Sequence, residues 1–131
     1  MRRHHIAFSI ALGLSFSAHA GSGHSHGDAH AVKALHGGVV SEAKHLTFEL
    51  VPHTDNVTLH VRDHGQPVRA EGGSARLTLL SGAAKSSLDL RPSGVGQLSA
   101  PLQQPIAAGS KVVALVKLPG KSPTQVRFAI K

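Results

Sequence analysis

Between residues 24 and 30 the chain reads His24-Ser25-His26-Gly27-Asp28-Ala29-His30, with an imidazole or carboxylate at every second position. A flexible backbone can wrap such a run around one cation, and neutral imidazole is the commonest protein ligand for borderline divalent metals. His24, His26, Asp28 and His30 are therefore candidate metal ligands. His36, which opens the segment His36-Gly37-Gly38, is a candidate added ligand. The chain has no Cys, and its one Met is Met1, so neither thiolate nor internal thioether is on offer. Soft Cu(I) sites and Cys-type structural zinc sites are excluded, and the donor set suits Zn, Cu(II), Ni or Co. A second geometry stays open: cleavage after Gly21 would leave Ser22-Gly23-His24, an amino terminus with His at position three, the spacing of a square-planar Cu(II) or Ni(II) site.

Catalytic chemistry finds little footing. There is no Cys nucleophile, Gly-x-Ser-x-Gly elbow, phosphate-binding loop or His-Glu-x-x-His pair, and nothing fixes a triad among the many Ser and His residues. The expectation is a binding protein and not an enzyme.

These candidates need a scaffold, and the sequence indicates where it begins. Met1-Arg2-Arg3-His4-His5 is a positive stretch, residues 6–16 are mostly apolar, and Ala18-His19-Ala20 places small residues at the −3 and −1 positions of a cleavage site. That is the three-part pattern of a secretory signal, too short in its apolar run to span a bilayer. The expected organisation is a signal peptide over residues 1–20, a flexible His-rich tail over 21–35, and one β domain over 36–131. No later segment is long and apolar enough to span, so no transmembrane segment is expected after cleavage.

From Gly38 onward the chain alternates with period two. Leu46, Phe48 and Leu50 face one way and Thr47, Glu49 and Val51 the other; Val57, Leu59 and Val61 repeat the pattern with Thr58, His60 and Arg62 outward. Further runs are expected at Ala75–Leu80, Ser86–Leu90, Gly94–Ala100, Lys111–Leu118 and Thr124–Ile130, broken by Gly82, Pro92-Ser93-Gly94, Pro101, Pro105, Gly109, Pro119-Gly120 and Pro123. In the last run Val126, Phe128 and Ile130 face inward. Many short strands without a long helix predict an all-β fold, a small antiparallel β-sandwich or barrel with a disordered His-rich N-terminal tail. Beyond the signal the only aromatic residues besides His are Phe48 and Phe128, so the core must be built from Val, Leu, Ile and Ala.

Charge divides the chain. Beyond the signal all the histidines lie between His24 and His64, together with Asp28, Glu42, Glu49, Asp55 and Asp63. From Gly65 on, Glu71 and Asp89 stand against nine Lys and Arg residues, and no His occurs. A secreted chain almost without aromatics to stack on bases does not suit nucleic acid; contact of the basic half with an anionic surface stays open. His45, His53, His60 and His64 fall in expected strands or turns, where each reads as an exposed imidazole.

His36-Gly37-Gly38-Val39-Val40, then Leu46-Thr47-Phe48-Glu49-Leu50-Val51, then Gln66-Pro67-Val68 after a turn, together resemble the opening of the small β domain in periplasmic adaptor subunits of heavy-metal efflux systems. The chain is also similar to short periplasmic proteins of metal-resistance loci that carry the same segment. The resemblance covers about residues 36–70, and only His36 maps onto the family's motif. The coiled-coil hairpin and lipoyl-like parts of an adaptor have no counterpart here. What the resemblance implies is metal handling: a periplasmic divalent-metal-binding protein that buffers or delivers ions in heavy-metal resistance or efflux, with an efflux complex as partner. The alternative is a non-metal β-sandwich interaction module binding an envelope partner or anionic surface.

Overall fold

The computed structural model describes residues 32–131. The expected signal peptide, and the candidate ligands His24, His26, Asp28 and His30, lie outside the described residues. The described chain is all-β, an antiparallel sheet nearly closed into a barrel, with no helix among the described residues. The strands are β1 (Val39–Ala43), β2 (Leu46–Pro52), β3 (Asn56–Asp63), β4 (Gln66–Pro67), β5 (Ser74–Ser81), β6 (Ala84–Gly94), β7 (Gln97–Pro101), β8 (Lys111–Lys117) and β9 (Thr124–Ala129). They pair in the order β1-β2-β3-β7-β6-β5-β8-β9, with β4 added to the end of β3.

Local signals account for most of these elements. Tight two-residue turns join β1 to β2 through Lys44-His45 (φ 50° and 66°) and β3 to β4 through His64-Gly65 (φ 49° and 81°). Positive φ at both central positions matches the right-handed twist of the flanking strands. The core is one cluster drawn from both halves of the sheet, including Phe48 and Leu50 from β2, Val57, Leu59 and Val61 from β3, Leu77 from β5, Leu90 from β6, Leu98 from β7, Val112 and Val116 from β8, and Val126 and Phe128 from β9. Each Leu, Val or Phe buried this fully contributes about 1.5–3 kcal/mol before chain entropy is charged against it.

The expected break at Pro92-Ser93-Gly94 is not a break. β6 continues through it to Gly94 and changes partner on the way, from β5 over Ala84–Leu90 to β7 over Arg91–Gly94. Proline gives the ladder no N–H, and a register shift between Pro92 and Gly94 accommodates it. The chain reverses one step later, at Val95-Gly96, where Gly96 has φ 65°. A Cβ there would lie 2.8 Å from the Pro67 side chain, so the turn is also pinned by its neighbour.

At the ends of the strand order, β9 lies beside β1, and among the described residues no ladder pairing joins them. A cleft runs along this seam, lined by Val39, Val40, Phe128 and Ala129 and by Val32 and Ala34 of the segment before β1.

Candidate functional site: a buried carboxylate and a pair of stacked imidazoles

Alternation places Glu49 on the outer face of β2, directly opposite His60 on β3, and Thr47 opposite Arg62. On an open sheet all four would meet water. Instead Thr47, Glu49 and Val51 are buried, Glu49 completely. The cover is the segment preceding β1. Its backbone amides at His36 and Gly38 donate to Glu49 Oε1 at 2.7 and 3.0 Å, and the Leu35 amide donates to Oε2 at 3.0 Å. The His36 ring closes the arrangement, with Nδ1 3.0 Å from Oε2. Residues 33–35, at the end of the expected tail, thus lie against the domain, and Arg62 Nη2 donates to the Lys33 carbonyl at 3.3 Å.

The two glycines of His36-Gly37-Gly38 now have separate reasons. Gly37 has φ +73°, the left-handed conformation that bends the segment. Gly38 lies so close to β2 that an added Cβ would collide with the Leu50 carbonyl and the Val51 side chain.

Electrostatics are set by this geometry. Burial opposes ionisation of Glu49, but the His36 ring and the amides of Gly38, His36 and Leu35 outweigh it and hold the carboxyl down to about 2. Glu49 is therefore an anion and accepts only, so the His36 ring donates through Nδ1–H. In the neutral ring this leaves the lone pair on Nε2, on a side chain that is 44% exposed. Arg62 Nη2 adds positive charge 3.7 Å from Oε2, while Arg62 Nε is buried without a hydrogen-bond partner among the described residues. His36 also stacks on His60, with ring centroids 3.7 Å apart and planes 3° from parallel. Burial and the neighbouring His36, with smaller contributions from Arg62 and His53, lower the His60 imidazole below its ordinary value against the opposing pull of the Glu49 carboxylate, so its neutral form is favoured.

In metal-ligating histidines the second ring nitrogen almost always donates to a carboxylate, a backbone carbonyl or water, which fixes tautomer and orientation. His36 has that arrangement. Stacking, however, prevents His36 and His60 from sharing one ion as they stand, because their lone pairs lie in parallel planes 3.7 Å apart. Among the described residues no three His, Asp or Glu side chains converge as a metal site. By itself, therefore, His36 offers one donor.

The remaining histidines lie elsewhere on the sheet. His45 and His64 occupy the two tight turns and line one cleft with Glu42, Thr47 and Arg62. His64 Nδ1 pairs with Asp63 Oδ1 at 2.6 Å, and its side chain is almost wholly exposed. His53 is in the loop at the other end of β2.

No protein-family model, curated protein or solved structure matches this chain. His-Gly-Gly and the glutamate of Phe48-Glu49-Leu50 are two sides of one clasp. Sequence reasoning singles out His36 but misses Glu49 and Arg62. The signal that could have found them is a lone carboxylate in a run, Leu46 to Val51, whose only other polar residue is Thr47, which suggests a buried charge with dedicated partners.

Proposed function

We propose that this chain is a periplasmic divalent-metal-binding protein that buffers or delivers ions in heavy-metal resistance or efflux. The observation carrying the reading is the Glu49–His36 pair, which leaves the exposed His36 ring with an available Nε2 donor. His30, Asp28, His26 and His24 lie a few residues upstream in sequence and supply the other donors. The ion is Zn, Cu(II), Ni or Co, given nitrogen and oxygen ligands alone.

Calorimetric titration of the secreted protein with each of the four ions at neutral pH tests this. Binding is expected to weaken as pH falls from about 7 to about 5.5, because protons compete for imidazoles of pKa about 6.5. Removing residues 21–31 should abolish most of the binding. Undiminished stoichiometry and affinity in that variant would move the ligands to His36, His45, His53, His60 and His64. If the intact protein binds none of the four ions, the metal reading fails.

A further inference from the structure

The four strands β6, β5, β8 and β9 turn one face to the core and the other to solvent, and their registers place the outward side chains in rows. One row reads Lys85, Leu80, Lys111, Ala129; the next Ser87, Thr78, Val113, Arg127; the third Asp89, Arg76, Leu115, Gln125. Ser74 and Lys117 begin a fourth, beside which Arg91 continues the outward side of β6. The face therefore presents Arg76, Lys85, Arg91, Lys111, Lys117 and Arg127 against the single carboxylate of Asp89. Arg76 ties up that carboxylate, with Nε 2.8 Å from Oδ1. Three of the cations, Arg76, Arg91 and Lys117, line an open cleft of about 600 Å³ together with Asp89, so the cleft carries three positive charges against one negative.

Apolar side chains interrupt the charge. Leu115 is 41% exposed beside Arg76, Leu80 is 36% exposed between Lys85 and Lys111, and half-buried Val113 lies between those rows. A strongly basic face with aliphatic side chains among its cations matches the boundary between anionic headgroups and acyl chains. A hydrated polysaccharide would satisfy the cations but leave Leu80, Val113 and Leu115 without a partner.

We infer that the outer face of β6-β5-β8-β9 docks on an anionic lipid bilayer, with headgroup phosphates in the cleft between Arg76, Arg91 and Lys117. The inference is independent of metal binding and adds a location to it: among the described residues the stacked pair of imidazoles, His36 and His60, lies on the other half of the sheet, against β2 and β3, away from the basic face.

The test is flotation of the purified secreted protein with vesicles of phosphatidylethanolamine and phosphatidylglycerol, three parts to one, with phosphatidylcholine vesicles as the neutral comparison. A chelator is present throughout, so that no metal bridges protein and lipid. Preferential binding to the anionic vesicles, weakened by salt, is expected. A Lys or Arg at an anionic surface gains about 1 kcal/mol, or about fivefold in affinity. The triple variant Lys111→Ala, Lys117→Ala, Arg127→Ala should therefore bind roughly a hundredfold more weakly, and Leu115→Ser several-fold more weakly. All these side chains are exposed, and unchanged far-UV circular dichroism confirms folding. Equal binding to both vesicle types, or a triple variant that binds like the parent, overturns the inference. So does displacement from vesicles by lipopolysaccharide core oligosaccharide together with undiminished binding of Leu115→Ser, which would assign the face to saccharide phosphates instead.

Discussion

Replacing Glu49 by Gln removes one charge and almost no volume, so its effect falls on the hydrogen bonds of the clasp. The amides of His36 and Gly38 converge on one carboxylate oxygen, and a glutamine carbonyl in that place can still accept both. The other oxygen receives the Leu35 amide and His36 Nδ1, and a glutamine NH2 there would face donors. His36 can escape by changing tautomer; the Leu35 amide cannot. One unsatisfied buried donor costs about 1–3 kcal/mol. Arg62, whose guanidinium is nearly buried, also loses its counter-charge at 3.7 Å. The combined loss should be roughly 3 kcal/mol, which for a domain of this size lowers the thermal midpoint by on the order of 10–20 °C. With no Trp or Tyr in the chain, unfolding is best monitored by far-UV circular dichroism in urea. Nitrogen-15 NMR should show the protonated ring nitrogen of His36 to be Nδ1 in the parent and to move to Nε2 in the variant. A loss below about 0.5 kcal/mol with the tautomer unchanged would refute the clasp as described.

Three further outcomes are expected. Because Glu49 titrates at about 2 in the fold against an ordinary 4.5, its ionisation stabilises the fold above pH 4.5, and about 3 kcal/mol is lost as pH falls from 4.5 to 2; urea midpoints across that range should show the loss in the parent and not in Glu49→Gln. Gly38→Ala, whose Cβ would meet the Leu50 carbonyl, should destabilise by about 2–3 kcal/mol, whereas Gly37→Ala, with open space but φ +73°, should cost only about 1 kcal/mol in the same denaturation assay. His36→Ala should reduce metal affinity in calorimetry by at least tenfold while Asp63→Asn, next to His64 on the exposed turn, leaves it unchanged.

Strand chemistry is the legible part of this sequence. Val126, Phe128 and Ile130, and Val57, Leu59 and Val61, alternate cleanly because one side of each strand meets the core and the other does not. The same rule misleads on β2. Thr47, Glu49 and Val51 occupy the side that alternation assigns to solvent, yet all are buried, because a segment ten or more residues upstream folds across them. Period-two patterning records which side of a strand a residue is on; it does not record what else covers that side. His60 is outward, as alternation requires, but the covering segment brings His36 onto it. Of the candidate ligands, only His36 falls within the described residues, and its partner Glu49 is apparent only through the contact between β2 and the backbone before β1.

The seam between β1 and β9 bears on how the molecule avoids itself. A sheet that stops short of closing has two edges, and a bare edge recruits strands from other chains. Here the two edges face each other rather than the surroundings, and Val32 and Ala34 line the cleft left between them. The stretch that grips Glu49 thus also works as edge protection. A chain trimmed back to Val39 would lose this stopper along with the clasp, leaving two adjacent templates for intermolecular pairing, so the same few residues that position His36 also shield both strand edges.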